Sequence, residues 1–98
     1  MIVGINSAIS SIQEVLKILE QKAPHAASII EELSNQIQKI EEGNPFTKKQ
    51  ALKHVGSMTH PKWLGDIYLK DISYSDWSKA LDNMNNKCAR AFNQLEKL

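Results

Sequence analysis

Apolar residues recur at intervals of three and four through most of this chain, and those intervals divide it into helices. Ile5, Ala8, Ile9, Ile12, Val15, Leu16 and Leu19 share one stripe, which predicts a first helix over residues 7–21 with Asn6 or Ser7 as its cap. The Lys22-Ala23-Pro24 junction ends it, because the residue before a proline is pushed out of the helical region while proline itself suits a first helical turn. A second helix is expected over 25–42. Its inward stripe is Ala26, Ile30, Leu33, Ile37 and Ile40, with Gly43 as the carboxyl-terminal cap, so the first two helices should form an antiparallel hairpin. Thr47 followed by Gln50 has the spacing of a capping box, with Phe46 placed to staple onto Ala51; this predicts a short third helix over 48–55, stopped by Gly56. After Ser73 or Ser75 the stripe resumes through Trp77, Ala80, Leu81, Met84, Cys88, Ala91, Phe92 and Leu95, a fourth helix over 76–96. Nothing alternates with the period of a strand. The expected architecture is all-α, a compact four-helix bundle or array of helical hairpins, in one domain spanning residues 1–98.

One stretch breaks the pattern. Gly56 to Tyr74, GSMTHPKWLGDIYLKDISY, places Met58, Trp63, Leu64, Ile67, Tyr68, Leu69 and Ile72 in a connector whose apolar residues keep neither helical nor strand spacing. Structureless loops of that length are uncommon in small domains, so a helical turn from Pro61 to Leu69 is expected within it. Two roles are open. Trp63, Leu64 and Ile67 could plug the end of the bundle, or His60, Lys62, Trp63, Asp66 and Tyr68 could be displayed as an interaction surface, where aromatic residues beside polar groups commonly anchor a partner.

Composition alters this picture little. With 42% hydrophobic and 23% charged residues and few glycines and prolines, the 98 residues read as an ordinary globular domain. No apolar run is long enough to cross a bilayer, and the first residues lack the basic region and apolar stretch of a signal peptide, so a cytoplasmic, bacterial setting is expected. The single cysteine, Cys88, agrees with a reducing compartment. Charge adds more. Residues 1–45 carry three lysines against six glutamates, a net −3, whereas residues 46–98 carry eight lysines and one arginine against five acids, a net +4. Either the two halves attract across their packed faces, or Glu31, Glu32, Glu41 and Glu42 of the second helix present an acidic face to a partner.

Reactive constellations are hard to find. His25, His54, His60 and Cys88 lack the paired spacings of a zinc site, so neither metal nor other cofactor is expected. Cys88 lies on the apolar stripe between Met84 and Phe92, the place of a small hydrophobe rather than of a nucleophile. Ser57, His54 and Asp66 could be assembled into a triad, but no nucleophile-elbow glycines surround the serine. The adjacent glutamate pairs of the second helix lie mostly on its polar flank and point to water. An enzyme is the least supported class. For nucleic acid, Lys48, Lys49 and Lys53 offer a small basic patch, yet Pro61 falls where a recognition helix would begin and Arg90 is the one arginine.

HPKWLGD, followed by the SYSDW entry to the terminal helix, resembles small all-helical bacterial immunity proteins that accompany polymorphic or contact-dependent growth-inhibition toxins, over about residues 51–95. The resemblance implies a cytoplasmic, non-catalytic protein that binds a cognate toxin domain and blocks it. The bottom-up expectation is compatible: a binding protein whose partner is another protein, with a nuclease toxin suited to an acidic helix that mimics a nucleic-acid backbone. A nucleic-acid-binding helical regulator and a self-associating helical module are the alternatives.

Overall fold

The computed structural model describes residues 3–59, 64, 67, 69 and 71–97, and among them it contains four helices and no strand. They are α1 (Val3–Lys22), α2 (Ala27–Glu42), α3 (Pro45–Met58) and α4 (Tyr74–Glu96). α1 packs on α2 and α4, and α3 packs on the same two helices, which makes an all-α four-helix bundle 41 × 23 × 21 Å in extent. The helices alternate in direction: the start of α1 meets the end of α4 at Gly4 and Gln94, and the start of α3 meets the end of α4 at Lys49 and Glu96.

The core is the set of stripes read from the spacing. Ala8, Ile12, Val15 and Leu19 of α1, Leu33 and Ile40 of α2, Leu52 and Val55 of α3, and Trp77, Leu81, Met84, Cys88, Ala91 and Leu95 of α4 are all buried in one cluster. Ile30 and Ile37, expected inside, are only partly buried against its edge. Among the described residues no helix is long and apolar enough to cross a membrane.

Helix ends depart from expectation for local reasons. α1 begins at Val3, before the proposed Asn6 or Ser7 cap, because the amide of Gly4 donates to Gln94 Oε1 of α4 at 3.1 Å and so finds an acceptor outside its own helix. A Cβ on Gly4 would lie 2.5 Å from that oxygen, so a larger residue there would displace the Gln94 side chain and cost the bond. Pro24 sits in the turn rather than in the first turn of α2, which starts at Ala27 with Ala26 as an N-cap that makes no side-chain bond. α3 starts three residues earlier than the Thr47 capping box implies. Its cap is Asn44, whose Oδ1 accepts from the Thr47 amide at 2.8 Å, and Pro45 occupies the first turn where no amide partner is needed. Phe46 therefore falls inside the helix and is 66% exposed, not stapled to Ala51.

Gly43 caps α2 in an extended conformation, φ −76°, and not in the left-handed one. Glycine is needed there because a Cβ would meet the Lys39 carbonyl at 2.5 Å and Thr47 Cγ2 at 2.7 Å in the tight α2–α3 turn. Gly56 does not stop α3, which runs on to Met58 and buries it. α4 starts as expected, with Ser73 Oγ accepting from the Asp76 amide at 3.1 Å and Asp76 in the first turn.

Candidate functional site

Of the connector residues expected to form a display surface, His60, Lys62, Trp63, Asp66 and Tyr68 lie outside the described residues, as does most of the turn expected from Pro61 to Leu69. The neighbours that are described turn inward. Leu64 is fully buried and Leu69 nearly so, while Ile67 and Ile72 pack partly against the core. Trp77 Nε1 donates to the Leu64 carbonyl at 2.9 Å, and the Ile67 amide reaches the same carbonyl at 3.3 Å. Leu64 thus closes the end of the bundle, one of the two roles foreseen for this stretch.

The acidic helix separates into two parts. Glu31, Glu41 and Glu42 are exposed, and among the described residues none of the three carboxylates forms an ion pair. Glu42 accepts a bond from Gln38 Nε2, one turn back, at 3.1 Å. Glu31, Asn35, Gln38 and Glu42 follow one another at helical spacing, so they form a continuous polar ribbon along the outside of α2 with Glu41 beside it. A groove of about 430 Å³ runs along this ribbon to the α2–α3 turn, bounded by Glu32, Gln38, Glu42 and Thr47.

Glu32 behaves otherwise, which corrects the expectation that it points to water with its neighbours. Its Oε1 lies 3.0 Å from His54 Nε2 of α3 and also accepts from Gln36 Nε2 at 2.9 Å. Gln36, 4% exposed, is one of the few polar residues buried in the bundle, and sequence reasoning had not singled it out. Its signal was present in the spacing, since residue 36 lies between Leu33 and Ile40 on the inward stripe. The His54–Glu32 contact was legible too: each residue lies eleven positions from Gly43, so an antiparallel α2–α3 hairpin sets them opposite each other.

The basic patch at the start of α3 dissolves in the same geometry. Lys48 turns its ammonium to the carbonyl oxygens of Ile40 and Glu41, where it satisfies the exposed end of α2 and favours the helix dipole. Lys49 approaches Glu96 at 3.8 Å. Among the described residues, Lys53 is the one of the three with no partner shown. The opposite charges of the two halves are likewise not consumed across their interface: among the described residues, no lysine or arginine pairs with an acid across it, and His54–Glu32 is a side-chain hydrogen bond between them.

Nucleophile chemistry finds no support from Ser57, whose hydroxyl donates to the backbone carbonyl of His54 at 2.6 Å while the imidazole faces Glu32. Cys88 is 1% exposed, and burial pushes its thiol up to about 12. Such a thiol stays protonated and inert at neutral pH. Among the described residues no three His, Cys, Asp or Glu side chains converge to hold a metal ion. Comparison with protein-family models, with characterised proteins and with solved structures yields no match to the chain.

Proposed function

We propose that this chain acts by binding a protein partner with a cationic surface, as an immunity protein does toward its cognate toxin, and that the outer face of α2 makes the contact. The observation that carries this reading is the state of Glu31, Glu41 and Glu42: three exposed carboxylates on α2 that form no ion pair among the described residues. Apart from the bond that Glu42 accepts from Gln38, the described fold makes no use of these carboxylates. Their electrostatic field reaches about a Debye length from the surface, which is the range over which a basic partner is steered.

The presentation is also rigid. Gly43, the Asn44 cap and the Lys48 contacts to the last carbonyls of α2 fix the end of the helix on which Glu41 and Glu42 sit. A surface ordered in advance loses little entropy on binding. The nucleic-acid alternative draws less support, because two of the three lysines of its basic patch already have partners within the fold.

Co-expression is the direct test. A toxin gene adjacent to this one would encode the partner, and cells producing that toxin domain should grow when this protein is present and die when it is absent. Purification should then yield a stable complex of the two. Survival without a physical complex, or a complex that leaves the toxin active, would remove the proposal.

A further inference from the structure

α2 and α4 are the diagonal pair of the bundle, since each packs on both α1 and α3, so their outer faces look in opposite directions. Each face carries a ribbon of four exposed residues with the same helical spacing, i, i+4, i+7 and i+11: Glu31, Asn35, Gln38 and Glu42 on α2, and Lys79, Asn83, Asn86 and Arg90 on α4. One ribbon reads acid, amide, amide, acid; the other reads cation, amide, amide, cation. We infer that the second ribbon is the docking surface for the first ribbon of another copy of this chain, so that copies associate head to tail.

The two ribbons match in length as well as in sign. Eleven positions separate the charged ends of each, about 16 Å at ~1.5 Å of rise per residue, so both ends can pair at once. Between the ends Asn35 and Gln38 oppose Asn83 and Asn86, and a carboxamide both donates and accepts, so each can bond its counterpart. Gln38 already holds Glu42 Oε2 at 3.1 Å, which fixes one charged end in advance. Among the described residues none of Glu31, Glu42, Lys79 and Arg90 forms an ion pair, so docking breaks no ion pair of the fold. Neighbouring charges set the polarity. Glu41 adjoins Glu42 and Lys87 lies three residues before Arg90, whereas Asp76 and Asp82 flank Lys79, and Lys39 lies off the first ribbon on the flank toward α3. The more acidic end is therefore Glu42 and the more basic end is Arg90, which sets α2 parallel to α4 of the next copy. Within one copy α2 and α4 are parallel too, since α3 runs against both. Successive copies are then related by a translation along the diagonal, a heterologous contact that does not close. Without an apolar centre the contact is weak, with Kd on the order of 0.1 mM at low salt, and a tighter cationic protein at α2 displaces it.

Sedimentation equilibrium of the chain alone is the test, and its outcome is independent of whether a toxin partner exists. At about 1 mM protein and about 20 mM salt, where charges interact over about 20 Å, the weight-average mass should exceed the 11.1 kDa of one chain, and it should return to that value at about 0.5 M salt. Glu31→Lys with Glu42→Lys, and separately Lys79→Glu with Arg90→Glu, should each weaken association at least about tenfold, because each pair of changes turns two attractions into two repulsions. Mixing the two double variants should restore association, since each offers the sign that the other needs. All four positions are exposed, and an unchanged melting temperature is the control for folding. A wild-type chain that stays at 11.1 kDa at low salt, association that survives high salt or either double variant, or a mixture of the variants that remains monomeric would each overturn the assignment.

Discussion

Replacing Cys88 by alanine tests how the bundle is held together, because the thiol is 1% exposed beneath the α3–α4 seam and belongs to the core cluster. The sulfur counts as about one methylene of buried apolar surface, roughly 0.8 kcal/mol. A residual cavity of about 20 Å³ adds roughly 0.5 kcal/mol at ~24 cal/mol per Å³. The expected loss is therefore about 1.3 kcal/mol, or some 5–10 °C in melting temperature for a domain of this size. Urea and thermal unfolding measure it.

Stability should also acquire a distinctive pH dependence. Burial holds the folded thiol protonated up to about 12, while in the unfolded chain it ionises from its ordinary value of 9.0 upward. Between those values the unfolded state binds fewer protons than the folded state, so the contribution of the thiol is complete below pH 9 and declines as pH rises. The slope approaches about 1.4 kcal/mol per pH unit in excess of that of Cys88→Ala, which isolates it from other groups titrating nearby. In the native protein at pH 8, with the thiol pKa near 12, only about one molecule in ten thousand carries the thiolate, so labelling by a bulky thiol reagent should run roughly a thousandfold below that of an exposed cysteine. Labelling at the exposed rate, or parallel pH profiles for the two proteins, would refute the burial argument.

Asn44→Ala removes the cap of α3 and should cost about 1 kcal/mol, whereas Thr47→Val, at the residue the spacing marked as the cap, should cost less; chemical denaturation ranks the pair. Trp77→Phe keeps most of the ring but removes one of the two donors to the Leu64 carbonyl and leaves it the Ile67 amide, which should cost about 1 kcal/mol in chemical denaturation.

The four helices and their inward stripes were legible because spacing of three and four follows directly from helix geometry and needs no tertiary information. Helix ends were less so, because caps are chosen by competition among neighbours. Thr47 offered a plausible box, but Asn44 followed by proline is the stronger start, and Gly4 was decided by a side chain ninety residues away. Gly56 shows the limit of reading glycine as a stop, since the helix runs through it once Val55 and Met58 are both buried on the same face. Within the acidic helix, the split between Glu32 and its neighbours depended on register across the α2–α3 turn, which residue types alone do not display. Lys48 was misread for the same reason: a lysine counted toward a basic patch serves instead as the polar end-piece of the preceding helix.

The central claim is that the carboxylates of α2 exist for a partner and not for the fold. Reversing Glu31, Glu41 and Glu42 to lysine, with Glu32 left to its contact with His54, separates the two directly when association with the proposed cationic protein partner is followed across a range of salt concentrations. The account predicts an unchanged melting temperature, an association rate lowered at least about tenfold at low salt, and a salt dependence that flattens or inverts. An association rate that stays at the wild-type value at every salt concentration, or a bundle that loses stability, would contradict it.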